Sequence, residues 1–125
     1  GARPSTRKAV LLVEDDHDLR RLFATCLRFA GFDVQEAADG PEAPRVLEAH
    51  FPDLIGLDIG LPTLDGVSVR EELAASDSTR HLPVTIVTGL NVEGSLFQRD
   101  CVLRKPVTPD ELVGTAKRCL SLVPD

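Results

Sequence analysis

Five short apolar runs, at residues 9–13, 32–37, 54–57, 84–87 and 101–103, punctuate the chain at wide intervals. They are rich in Val, Ile and Leu and mostly lack the apolar–polar alternation of a half-solvated sheet. Such runs suit strands buried on both faces, the condition of a parallel sheet covered by helices. The stretches between them supply that cover. Residues 18–30 place apolar side chains at 19, 22, 23, 26, 27 and 30, the stripe of a surface helix, and Gly31 follows as its C-terminal stop. Asp16 or Asp18 is placed to cap the start of this helix. A second helix is expected over 41–49 with Pro41 near its first position, and Pro44, a turn further in, should distort it. A third is expected over 66–75. Thr108-Pro109-Asp110-Glu111 reads as a capping box that opens a last helix through Leu122. The connection from 89 to 100 holds Asn91 and Gly94, so any helix there is short. Strands alternating with helices through right-handed crossovers give an α/β fold, a doubly wound sandwich of three layers.

The 125 residues make one domain, with 42% hydrophobic and 27% charged residues, an ordinary globular balance. Lys plus Arg number 14 against 20 for Asp plus Glu, a formal net charge of −6. That argues against a nucleic-acid partner, which needs a clustered basic face. No apolar run approaches the roughly 18 residues of a membrane span, so a soluble, cytoplasmic protein is expected. Cys26, Cys101 and Cys119 are odd in number, widely spaced and without a CxxC pair. Reduced, partly buried thiols are therefore expected rather than a disulfide or a zinc site. His17, His50 and His81 share no metal-ligand spacing and read as solvated surface. The chain has no Met, so residues 1–7 read as a linker or cloning remnant and 8–125 as a domain cut from a longer protein.

In doubly wound sheets the site lies beyond the carboxyl ends of the strands. The residues found there are Glu14-Asp15-Asp16 after the first strand, Asp58 after the third, Thr88 after the fourth and Lys105 after the fifth. Each alone has a plain structural reading: an acid after a strand often caps the next helix, and a single Thr or Lys is usually solvated. Together, at the same end of successive strands, they define a rim. Carboxylates so gathered repel one another unless a cation joins them, and a hard divalent ion such as Mg²⁺ suits oxygen ligands. Lys105 is placed to pair with a carboxylate or with a transferred anion, to which Thr88 offers a hydroxyl.

These residues carry a family resemblance. Val10 to Asp16, Asp53 to Pro62, Asp65-Gly66, Val87-Thr88-Gly89 and Lys105-Pro106 resemble the receiver domains of two-component response regulators, across residues 8–122. The spacings of 44 residues from Glu14 to Asp58 and 30 from Asp58 to Thr88 are also similar. The resemblance implies a flavodoxin-like sheet with strand order 2-1-3-4-5. It implies Asp58 as phosphoacceptor, Asp15 and Asp58 as direct Mg²⁺ ligands, Glu14 acting through water, and the Gly60 carbonyl completing the protein's share. Thr88 and Lys105 would bind the phosphoryl oxygens. The donor would be a histidine kinase or a histidine phosphotransfer protein. With the Pro directly after a strand end, a cis Lys105–Pro106 peptide is expected.

Three departures bear on signalling rather than on the acceptor. Val102 stands where the family usually has an aromatic residue, the 17 residues from Thr88 to Lys105 are several fewer than usual, and Leu90 is apolar where many relatives are polar. In that short connection the chain is similar to stand-alone receivers with a reduced helix. Signal transmission is expected through 89–100 rather than through a ring flip. Gly60 and Leu90, which cannot orient a water, imply slow self-hydrolysis. Two rival readings are a receiver-like binding module that works without phosphorylation and a Mg²⁺-dependent phosphohydrolase with an aspartyl-phosphate intermediate. The first predicts loss of one of Glu14, Asp15, Asp58, Thr88 or Lys105, and all are present. The second generally needs an Asp two residues after the nucleophile, where Gly60 stands.

Overall fold

In the computed structural model of the chain, residues 7–39, 41–59, 66–88 and 101–122 are described, with Ile59, residues 66–70, Thr88 and Arg104 described by their backbone alone. The elements run β1 (Ala9–Val13), α1 (His17–Phe29), β2 (Asp33–Ala37), α2 (Ala43–Ala49), β3 (Leu54–Ile59), α3 (Gly66–Ala75), β4 (Val84–Thr88), β5 (Cys101–Arg104) and α4 (Pro109–Ser121). The five strands form one parallel sheet in the order β2-β1-β3-β4-β5, as the resemblance implies.

The unalternating runs have a direct structural cause. In β1, Val10 and Leu12 enter one core with Phe23, Ala24 and Leu27 of α1 and Leu112, Ala116 and Cys119 of α4. Leu11 and Val13 point the opposite way, into a second core with Ala43 of α2 and Leu73 of α3. Successive side chains of a strand face opposite sides, so a strand with a core on each side must be apolar throughout. The sheet is thus the middle of three layers.

The helix ends show why the elements start and stop where they do. Asp16 caps α1, its Oδ1 accepting from Leu19 N at 2.9 Å, and Gly31 beyond its C-terminus has φ +105°, a conformation open to glycine. The capping box of α4 is complete in both directions: Thr108 Oγ1 accepts from Glu111 N at 3.1 Å and Glu111 Oε1 from Thr108 N at 3.0 Å. The second helix differs from expectation. It starts at Ala43, so Pro44 lies in the first turn, where its missing N–H costs no intrahelical bond. The entry is fixed upstream instead, with Glu42 N donating to Asp39 Oδ1 at 2.8 Å and Ala38 N to Glu42 Oε2 at 3.3 Å.

The cysteine expectation is overturned. Cys101 and Cys119 are joined as a disulfide, and only Cys26 among the three is free. The packing of α4 against β5 brings together two residues that sequence spacing leaves unrelated. The histidines are exposed, as expected. The expectations for the linker at 1–6, for Gly60 and Leu90 and for the connection 89–100 lie outside the described residues.

Candidate functional site

The chain leaves β1 toward one side of the sheet, to β2, and returns to pair β3 on the other, so the crevice between the ends of β1 and β3 is the topological switch point. Register places the polar residues there. Val13 lies opposite Leu57, which brings Glu14 level with Asp58. Ile59 lies opposite Thr88, and Thr88 opposite Arg104, so Lys105 leaves β5 at the same rim. The Lys105–Pro106 peptide is cis, as expected.

Asp58 and Glu14 are both buried, at 3% and 1% exposure. Lys105 Nζ donates to Asp58 Oδ2 at 3.0 Å, an ion pair in which the lysine side chain remains partly exposed while the carboxylate is buried. Asp58 Oδ1, by contrast, has no hydrogen-bond partner. A buried carboxylate oxygen left bare is costly and calls for a cation or a proton. The acid beside Asp58 is Glu14. Burial, then a side-chain hydrogen bond to Asp58, push the Glu14 carboxyl up from its ordinary 4.5 to about 8. The Asp16 backbone N–H, donating to Glu14 Oε2 at 3.0 Å, and the Lys105 charge pull weakly the other way. With Glu14 ionised, two buried acid groups would lie side by side, which is why burial and Asp58 together favour its protonated form.

Asp15 is half-buried at the same rim. Among the described residues, Glu14, Asp15 and Asp58 do not close into a cluster of three side-chain ligands around one point. Mg²⁺ does not require one, since it keeps several waters and takes only one or two carboxylates from a protein. The bare buried Asp58 oxygen, with Asp15 at the same rim and Glu14 beside it once its proton is lost, is a donor set that fits such an ion. The structure therefore brings together Glu14, Asp58 and Lys105 by contact and places Asp15 and the backbone of Thr88 beside them. The Thr88 side chain and Gly60 lie outside what is described.

One contributor was not read from the sequence. Arg20, one turn into α1, donates from Nη1 to the Glu14 backbone carbonyl at 2.9 Å and pairs through Nε with Glu36 Oε1 at 3.4 Å. It fixes the chain that carries the acid pair. Its only sequence signal was its place four residues after the Asp16 cap.

Comparison with known proteins gives the family. Residues 10–117 match the family model for the response regulator receiver domain. The chain belongs to the response regulator receiver family. This receiver is 39% identical over 120 residues to the transcriptional regulatory protein PrrA of Mycobacterium tuberculosis, covering 92% of the chain and 51% of PrrA. It is 32% identical over 118 residues to the polar-differentiation response regulator DivK of Brucella anthropi, covering 90% of the chain and 96% of DivK. The chain thus spans about half the length of PrrA and nearly all of DivK. Among solved structures it is similar to a CheY-like receiver domain protein from Methanospirillum hungatei, with TM-score 0.81 and 26% identity, covering 93% of this chain and 95% of that one. A sensor protein from Polaromonas is also similar, with TM-score 0.83 and 25% identity, covering 94% and 99%. Receivers of this family are signalling domains of two-component systems rather than enzymes with a turnover substrate.

Proposed function

We propose that this receiver accepts a phosphoryl group on Asp58 from the phosphohistidine of a histidine kinase or a histidine phosphotransfer protein. The observation that carries this reading is the Asp58 carboxylate, buried, with one oxygen on the Lys105 ammonium and the other bare. A carboxylate oxygen attacks phosphorus, forming an acyl phosphate O–P bond as the P–N bond to the donor imidazole breaks. The imidazole leaves with the electron pair and takes up a proton. Lys105 moves its charge from the carboxylate to the oxygens of the arriving group, so the ammonium stabilises charge where it develops. Thr88, at the end of β4, would offer its hydroxyl to the same oxygens. Asp15 and Asp58 would hold Mg²⁺, with the Gly60 carbonyl and, through water, Glu14. Bound there, Mg²⁺ supplies charge neutralisation for the phosphoryl oxygens.

A cytoplasmic setting accompanies this chemistry, because phosphohistidine is made from ATP. No helix among the described residues is long and apolar enough to cross a membrane. The direct test is a small donor with the same P–N bond, phosphoramidate, with the product weighed intact. The expected result is one phosphoryl adduct that needs Mg²⁺ and disappears on chelation. An adduct that forms equally well without a divalent ion would refute the metal's place in the reading, and no adduct at all would refute the acceptor.

A further inference from the structure

Cys101 opens β5, opposite Thr85 in register, and Cys119 sits in the last third of α4. Their disulfide spans 18 residues, with Cα atoms 6.1 Å apart. The two positions differ in burial: Cys101 is half-buried, whereas Cys119 is 2% exposed. The fully buried Thr85 hydroxyl donates toward Cys119 Sγ at 3.4 Å, so the shielded sulfur has a polar neighbour inside the apolar layer. The ring closed by this bond contains Lys105, whose ammonium holds Asp58, and Thr108, which caps α4.

We propose that Cys101 and Cys119 form a reversible thiol–disulfide exchange site, open to low-molecular-weight disulfides, that tunes phosphoryl acceptance at Asp58. The tuning rests on the phosphorelay reading above; the exchange site does not. A compartment that makes phosphohistidine from ATP is a reducing one, where disulfides of signalling proteins are transient rather than permanent. In the exchange, the Cys101 thiolate attacks one sulfur of oxidised glutathione; a mixed disulfide forms as the glutathione S–S bond breaks and one glutathione thiolate leaves. The Cys119 thiolate then attacks Cys101 Sγ, closing the protein disulfide and releasing the second glutathione thiolate. The two released thiolates take up the two protons that the cysteines gave up. Two electrons have passed from the cysteine pair to one glutathione disulfide. The closed ring ties the start of β5 to α4 and so restricts the segment from which Lys105 must shift its charge from Asp58 to the incoming phosphoryl group. Oxidation therefore slows loading and reduction restores it.

The test equilibrates the full chain in glutathione buffers from fully reduced to fully oxidised and divides each sample. One half is denatured in acid, labelled with a maleimide and weighed: three labels are expected at the reduced end and one, on Cys26, at the oxidised end. The other half is loaded with acetyl phosphate and Mg²⁺, and the linked form is expected to load more slowly by about threefold or more. Cys101→Ser, at the half-buried position, should load at the reduced rate in every buffer, whereas Cys26→Ser should keep the redox dependence. Two or more labels at the fully oxidised end would overturn the exchange site. Equal loading of linked and unlinked protein would overturn the tuning. Failure of both forms to load would overturn the phosphorelay reading and the tuning with it, while the label count would still decide the exchange site.

Discussion

Two carboxyl groups buried side by side cannot both ionise at low cost, and here Glu14 keeps its proton because burial penalises its charged form and Asp58 beside it adds to that penalty. The consequence for stability has a definite sign. Glu14 is raised from 4.5 to about 8, so in the metal-free protein its contribution is complete below 4.5 and is lost as pH rises through about 8. The melting temperature without divalent ions should fall across that window, and Glu14→Gln should flatten the fall. A metal-free protein that gains stability from the acid to the basic end of the window would contradict the assignment. On the proposed metal site Mg²⁺ would displace the same proton, so its apparent affinity, followed by titration at a series of pH values, should rise across the window. Gly60 and Leu90 offer no side-chain hydrogen bond to an attacking water. Gly60→Asn and Leu90→Gln, alone or together, should speed phosphate loss by about tenfold, below the 10²–10⁴ of full general-base catalysis. Unchanged decay of the adduct by mass spectrometry would show that water placement does not limit it.

The elements differ in how plainly the chain announces them. The start of α4 was legible because its whole device, Thr108 and Glu111 exchanging backbone hydrogen bonds, lies within four residues. The start of α2 was not, since its fixing contacts run from Asp39 and Ala38 to Glu42 and turn a proline expected to distort the helix into a first-turn residue. Thr108→Ala should cost about 1 kcal/mol in denaturant unfolding, the usual loss of a capping hydroxyl. The reciprocal bond has a pH signature. The Thr108 backbone N–H, then its side chain, hold the Glu111 carboxyl below its ordinary 4.5. A lowered carboxyl stabilises above that value and loses its contribution as pH falls through the folded value, so Glu111→Gln and the parent should converge in stability toward strong acid. A stability gap that widens in acid would argue against the box.

For the whole molecule, sheet and layers could be read from sequence because β1, β3 and β4 each feed a core on both faces, as Leu11 and Leu12 do in turn, and two-sided burial leaves a continuous apolar run. The rim could be read because parallel strands put all their carboxyl ends on one side, and Glu14, Asp58 and Lys105 do meet there. The cysteine pair could not, since Cys101 and Cys119 belong to different elements and meet only through the docking of α4 on the sheet. Closing a loop across 18 residues restricts the unfolded chain. In the loop-entropy account this contributes about 3 kcal/mol. Reduction should therefore lower the melting temperature clearly more in the parent than in Cys101→Ser. The claim on which the account turns is that Asp58 takes the phosphoryl group. Borohydride reduces an acyl phosphate to an alcohol, so the loaded chain, reduced and then digested, should carry homoserine in place of aspartate at position 58. Asp58→Asn should carry none. Homoserine at another acidic position, or in the Asp58→Asn chain to the same extent, would contradict the account.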